Sequence, residues 1–405
     1  MTRANRRLAN VVTGVVMLIL GVGLIGMSPG APVGWTSQRT IRGSGLVWTP
    51  VMTGGFGNPG NKLLRGLRVF QGRLYAITFN DEGGEVYRSV TLDPLTWEKV
   101  VDAGFLTSGN EFAPKFRSLS VWAGQLFVGT GFRRSDGAQI WRSSDGTVWT
   151  LSFDSGELGN GPTLNVRAMA PFGDYLYVGM GAEFVGTAQI FRSRTGREWE
   201  PVVDDGFGPQ RGNDNIYSLG VFDGRLYAGT FNLRGAEIYR SNDGRTWERV
   251  ATRGIGDRRN LYIYELRVYQ PTPESKPRLI AITGPNPSGG QVWAYDGEAW
   301  SLFAPPGFGN RRNTDMWQAN QFGRDFYVGT FKEEIRPGSR LSDENGAELW
   351  RYDDATGQWM PETLDGFGNP NNTGIRTIFA WNGALYVGTL NEETGCELWR
   401  GVPAR

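Results

Sequence analysis

At 405 residues the chain is long enough for two or three ordinary domains, and 42 basic against 41 acidic side chains leave a net charge of +1, too small a field to gather a polyanion, so nucleic acid is excluded as a partner. It has no histidine and one cysteine, Cys396, which removes the usual general base, every histidine triad, internal disulfides and cysteine metal clusters; no metal and no cofactor are expected. Fifty-nine glycines, 13% aromatics and only 20% charged residues suit many short strands joined by tight turns.

The N-terminus differs in kind from the rest. Arg3, Arg6 and Arg7 precede LANVVTGVVMLILGVGLIGM, residues 8–27, an uncharged stretch of the length needed to span a bilayer, and the next positive residue is Arg39. This asymmetry predicts residues 1–7 in the cytoplasm, 8–27 as an uncleaved transmembrane anchor, and everything after it outside the cytoplasm. The alternative is a cleaved signal peptide, which would make the protein secreted, although prolines crowd the small residues SPGA at 28–31. Residues 28–45, rich in Gly, Pro and Ser, read as a linker. The folded domain is expected over 46–405.

Within that domain one loop recurs: GFGNPGN at 55–61, GFLTSGN at 104–110, GFGPQRGN at 206–213, GIGDRRN at 254–260, GFGNRRN at 307–313 and GFGNPNN at 366–372. A strand ending in an aromatic and a turn lead to strands of the form LYVGT, which start at Leu74, Leu126, Leu176, Leu226, Leu279, Phe326 and Leu385. Alternation in these strands places apolar residues on both faces, as needed between stacked sheets. Third strands follow with Glu or Gln, an aliphatic, an aromatic and usually Arg, starting at Glu85, Gln139, Gln189, Glu237, Gln291, Glu348 and Glu397. Cys396, where sister repeats carry Ala, reads as a small packed residue. Fourth strands open with Trp97, Trp149, Trp199, Trp247, Trp300 and Trp359.

The last repeat lacks its fourth strand. VWTPVMTGGFGNPGN at 47–61 matches EWEPVVDDGFGPQRGN at 198–213, so the segment from Trp48 to Val51 is expected to complete it and remove an open sheet edge. The loop stands at both ends because the repeats form a ring that the chain enters one strand out of phase. The expected fold is therefore all-β: a seven-bladed β-propeller of four-stranded antiparallel blades, closed by an N-terminal strand and preceded by one transmembrane helix.

The turns before the tryptophan strands, SSDGTVW at 143–149, SNDGRTW at 241–247, SRTGREW at 193–199, YDGEAW at 295–300 and DDATGQW at 353–359, resemble the Asp box of sialidase-like (BNR-repeat) propellers, most of them one residue short. That resemblance implies structural roles for Asp145 and Asp243, which would cap their turns on the face away from the active site.

Binding is expected on the opposite face. The loop asparagines Asn61, Asn213, Asn260, Asn313 and Asn372 read as staples of their own loops. Four residues beyond each loop, Arg65, Arg117, Arg167, Tyr217, Tyr264, Trp317 and Arg376 would line one end of the channel, suited to carboxylates, sugars or a peptide loop. The alternative is that each Arg pairs with a third-strand Glu or Gln and joins neighbouring blades. The longest loop, KEEIRPGSRLSDENG at 332–346, offers Lys332, Glu333, Glu334, Arg336 and Arg340 as a partner-binding surface.

The main expectation for function is a non-enzymatic binding or scaffold module for a protein or glycan at the cell envelope, membrane-bound through its N-terminal helix. The alternatives are a sialidase-like glycoside hydrolase and a lectin. The family uses an arginine cluster, a Tyr/Glu nucleophile pair and an acid, for which Arg65, Arg117, Arg167, Tyr217 and Tyr264 offer parts with Glu82, Glu183 or Asp81 as carboxylates. Those sialidases, however, have six blades.

Overall fold

The computed structural model describes residues 40–105, 114–131, 137–158, 165–184, 186–208, 211–332 and 345–404. The cytoplasmic segment, the anchor and most of the linker expected over 1–39 lie outside the described residues, as do Glu333, Glu334, Arg336 and Arg340. Among the described residues no helix is long and apolar enough to cross a membrane. Regular structure there is strand, apart from single turns of 3-10 helix such as Gly54–Gly57 and Pro306–Gly309.

The strands pair antiparallel in seven groups of four. In the first, Asn61–Phe70 pairs with Arg73–Asn80, then Val86–Leu92, then Leu95–Val101. The last consists of Asn372–Trp381, Ala384–Asn391 and Leu398–Pro403, and its fourth strand is Leu46–Met52, with Trp48 opposite Gly401 and Leu46 opposite Pro403. Ile41–Arg42, inside the expected linker, adds two residues against Val47 and Trp48. The first strands, Asn61–Phe70, Lys115–Trp122, Asn165–Phe172, Asn213–Phe222, Tyr262–Tyr269, Asp315–Phe322 and Asn372–Trp381, each lie against the next, and the last lies against the first. The circle is closed across the chain ends: the Thr377 hydroxyl donates to the Leu64 carbonyl at 2.8 Å.

Neighbouring units stack face to face, which is why the second strands are apolar on both sides. Leu74, Tyr75, Ala76 and Ile77 are all buried, as are Leu226, Tyr227 and Ala228. The glycine of LYVGT marks the closest approach. A Cβ on Gly129, Gly179, Gly229, Gly329 or Gly388 would come within 2.6 Å of the next unit's Val166, Ile216, Ile263, Ile375 or Leu64.

The recurring loop is an inter-unit staple. Its second residue takes positive φ at Phe56, Phe105, Phe207, Ile255, Phe308 and Phe367, a conformation that costs a bulky L-residue about 1–2 kcal/mol. Stacking offsets that cost. Phe56 lies on Tyr87 at 4.0 Å, Phe207 on Tyr239 at 3.7 Å and Phe367 on Trp399 at 4.9 Å. The loop asparagine then donates back to the loop's first glycine carbonyl, at 2.9 Å from Asn61 to Gly55 and 2.8 Å from Asn372 to Gly366. The small residue ahead of the third strand donates its N–H to the asparagine carbonyl in five of the units, as Cys396 does to Asn61 and Ala236 to Asn260, both at 2.8 Å; Gly84 donates instead to the Pro114 carbonyl and Ala138 to the Ser155 hydroxyl. Cys396 is accordingly buried, and burial pushes its thiol far above the usual range.

At the tryptophan turns Asp145 accepts the N–H groups of Thr147 and Val148, at 2.7 and 2.8 Å, and Asp243 those of Arg245 and Thr246, both at 2.7 Å. In the turn at 193–199 Thr195 takes that place, accepting from Arg197 at 3.1 Å.

Candidate functional site at the channel mouth

Each of the seven ring positions is the extra residue of a β-bulge. The register of every first strand slips there, between Leu64 and Gly66, Phe116 and Ser118, Val166 and Ala168, Ile216 and Ser218, Ile263 and Glu265, Met316 and Gln318, and Ile375 and Thr377. A bulge leaves its extra residue out of the ladder and re-aims its side chain. Arg65, Arg117, Arg167, Tyr217, Tyr264 and Arg376 consequently converge on one cavity of about 110 Å³ at the centre of the ring. Trp317 stacks on Phe331 at 4.3 Å, with the Arg376 guanidinium 5.6 Å from its ring centre.

The ring arginines do not pair with the third-strand Glu and Gln. Those groups are taken by the loop asparagines: Asn213 donates to Glu237 at 3.0 Å, Asn313 to Glu348 at 2.7 Å and Asn372 to Glu397 at 2.8 Å. The guanidiniums turn inward instead. Arg65 donates to the Arg117 carbonyl at 3.1 Å, Arg376 donates to the Trp317 carbonyl and to Gln318, and Arg117 lies 5.0 Å from the Phe79 ring centre.

Of the three carboxylates weighed for this mouth, only Glu183 touches the ring. Asp81 is held by Lys62 and Lys115, which outweigh burial and keep it near about 2. Glu82 caps no ring residue; its own N–H donates to the Asn80 side chain at 2.9 Å. Glu183, on the loop after Tyr175–Gly181, accepts the Tyr217 hydroxyl at 2.6 Å and an Arg167 guanidinium nitrogen at 2.6 Å. Asn165 and Asn215 donate to the same carboxylate from 3.3 and 3.4 Å. The Arg167 guanidinium also sits over the Tyr217 ring, 4.6 Å from its centre.

Burial opposes ionisation of Glu183, but the Arg167 charge and the Tyr217 hydrogen bond prevail and hold it at about 2. The Tyr217 phenol moves the other way, raised by burial and by the adjacent Glu183. Asp214, whose carboxylate accepts the Phe184 N–H at 3.2 Å, is raised by burial and by the Glu183 charge. Two neighbouring carboxyls are thus displaced in opposite directions.

This has a consequence for acid stability. Because the folded-state value of Glu183 is depressed, its contribution is present above the unfolded carboxylate value of about 4.3 and is lost as pH falls through about 2. Glu183→Gln should flatten the unfolding midpoint between those limits; an acid limb as steep as that of the wild type, measured by thermal unfolding across that range, would remove the assignment.

Lys332, at the start of the long charged loop, is buried; its ammonium donates to the Asn345 carbonyl at 2.8 Å and lies 3.6 Å from Glu348. A larger groove of about 780 Å³ lies elsewhere, lined by Arg211, Arg234, Arg249, Arg253 and Arg258 around Glu237. It is open surface, and Glu237 is already taken by Arg249 at 2.7 Å and by Asn213. The chemistry concentrates at the ring.

No protein-family model matches the sequence, and no curated protein matches it in sequence. Among solved structures the chain is similar to the GH74 xyloglucanase of Xanthomonas campestris, with a TM-score of 0.54 and 19% identity over 87% of this chain and 53% of that one. It is also similar to Raptor of Chaetomium thermophilum, with a TM-score of 0.52 and 11% identity over 91% of this chain and 29% of that one. The chain thus spans about half the length of the xyloglucanase. At these identities the likeness is one of fold, and the fold is propeller-like and all-β. It corrects one expectation, that of a chain that is not an enzyme. A glycoside hydrolase shares the architecture at distant similarity.

Proposed function

We propose that the seven four-stranded units are the blades of a seven-bladed β-propeller that acts on a glycan at its channel mouth, with Tyr217 as nucleophile and Glu183 as its base. The observation that carries this reading is the 2.6 Å hydrogen bond from the Tyr217 hydroxyl to a carboxylate that Arg167 keeps ionised. A phenol is a weak nucleophile until an adjacent base takes its proton as it attacks, and nucleophile and base within hydrogen-bond reach, with a third group orienting the base, is the arrangement that does this. Asp214, whose carboxyl is raised by burial and by the Glu183 charge and accepts an N–H of the same loop, is the group we assign to protonate the leaving oxygen. The turn hydrogen bonds at Asp145 and Asp243 support the likeness to Asp-box propellers. The sequence of residues 1–27 supports a location outside the cytoplasm, anchored to the membrane or secreted, where glycans are accessible polymers.

The test is turnover of a panel of neutral and carboxylate-bearing oligosaccharides and aryl glycosides, read as new reducing ends. Tyr217→Phe and Glu183→Gln are each expected to reduce kcat by about 100-fold or more. Hydrolysis of nothing in the panel, or unchanged rates in both variants, would overturn the reading.

A further inference from the structure

The cavity that Tyr217 lines carries more positive charge than the protein neutralises. Six guanidiniums line the cavity, those of Arg65, Arg68, Arg117, Arg167, Arg267 and Arg376. Two carboxylates face them: Glu183 is engaged by Arg167 at 2.6 Å and Glu265 by Arg267 at 2.9 Å. Arg65, Arg117 and Arg376 have no carboxylate within ion-pair reach among the described residues. Arg65 and Arg376 are only 9% and 8% exposed. The Nε atoms of Arg117, Arg167 and Arg376 are buried without any hydrogen-bond partner.

Such an arrangement is costly as it stands. A buried polar N–H without a partner is destabilising, and buried like charges repel with little screening. Neutralisation by loss of a proton is closed to arginine. What remains is a counter-ion. The space among the guanidiniums, about 110 Å³, is small and only partly enclosed, room for an anion of a few atoms.

We propose that the cavity walled by Arg65, Arg117, Arg167 and Arg376 is a binding site for one small inorganic anion, of the size of chloride or bicarbonate. The bulges supply the geometry: each removes one residue from its ladder and aims it at a common centre, so donors from four different units meet there. The anion accepts guanidinium N–H groups that face that centre and holds the first strands of neighbouring units together. Burial pushes the Arg65, Arg117 and Arg376 guanidiniums down, and the Arg167 charge lowers each further, which is the field an anion would relieve.

The experiment is thermal unfolding of the full chain at fixed ionic strength, with chloride or bromide exchanged for a bulky organic sulfonate that the cavity cannot admit. The midpoint should rise with halide and saturate, gaining about 5 °C when halide exceeds its dissociation constant a hundredfold. Arg117→Leu should raise the midpoint in sulfonate and abolish the halide response, whereas an arginine that only braces the fold would, on removal, lower the midpoint equally in both buffers. Crystals grown in bromide should show an anomalous peak within the ring, a readout independent of any variant's folding. A midpoint indifferent to halide, or a ring empty of bromide, would overturn the proposal. No glycan enters these measurements, so their failure leaves the hydrolase reading standing, and the reverse.

Discussion

Trp48→Ala should destabilise the protein by about 4 kcal/mol, the upper range for removing a fully buried aromatic. Trp48 has no exposed surface and packs with Leu46, Tyr327, Phe367 and Trp399, meeting the Phe367 ring edge-on at 5.2 Å. Its indole N–H donates to Glu362 at 3.0 Å. That buried carboxylate also collects the Ser44 hydroxyl at 3.0 Å, the N–H groups of Gly45 and Leu46 at 2.9 and 3.3 Å, and the Arg351 Nε at 3.0 Å. The alanine variant leaves a cavity and one fewer donor on a buried charge. A chain that begins at residue 53 should fare worse: it loses the whole pairing of Leu46–Met52 with Leu398–Pro403 and bares that edge. It should be recovered aggregated, or unfold at least about 10 °C below the full chain. Unfolding at the wild-type midpoint would show that the ring does not depend on this closure.

Asn61→Ala is expected to cost about 3 kcal/mol, more than an ordinary surface substitution by several-fold. The side chain is completely buried and fully used: its amide donates to the Gly55 carbonyl at 2.9 Å and to Glu85, and its oxygen accepts from Thr78 at 2.8 Å and Asn80 at 3.1 Å. Truncation takes one hydrogen bond from each of four buried groups at once, leaves the Asn80 amide without its acceptor, and deprives the Phe56 loop of the bond that holds its strained backbone. Asn58→Ala, which removes one bond to Glu85 at 3.1 Å and one from Gly60 at 3.0 Å at a half-buried site, should cost about 1 kcal/mol. Denaturant unfolding of the two variants checks the ranking; equal or negligible losses would mean that the loops are held by stacking alone.

The repeat itself was legible in the amino-acid order, because a strand with both faces buried, a glycine that admits the next sheet and a loop that recrosses the same gap must each recur wherever the same contact recurs. The phase of the closing strand followed from the copy of that loop at residues 55–61, and the packing role of Cys396 from the alanines in its place elsewhere. The inward positions of Arg65, Arg117, Arg167, Tyr217, Tyr264, Trp317 and Arg376 could be aligned in sequence, but not the reason they point at one cavity. A bulge is a slip between two paired strands, and no residue type announces it. The alternative pairing of arginines with third-strand Glu and Gln failed for a related reason: the asparagine of the same loop reaches the Glu side chains, as at Glu237, Glu348 and Glu397, and only the folded distances decide between two donors of suitable chemistry. Glu183 looked no different from Glu82 or Asp81 along the chain. It was singled out by Arg167 in its own unit and Tyr217, 34 residues on in the next, just as Glu362 was matched to Trp48, 314 residues away, by the closing of the ring. Local order fixes which contacts repeat; the contacts that make one unit unlike the others join distant parts of the chain, and they exist only once the ring has brought them together.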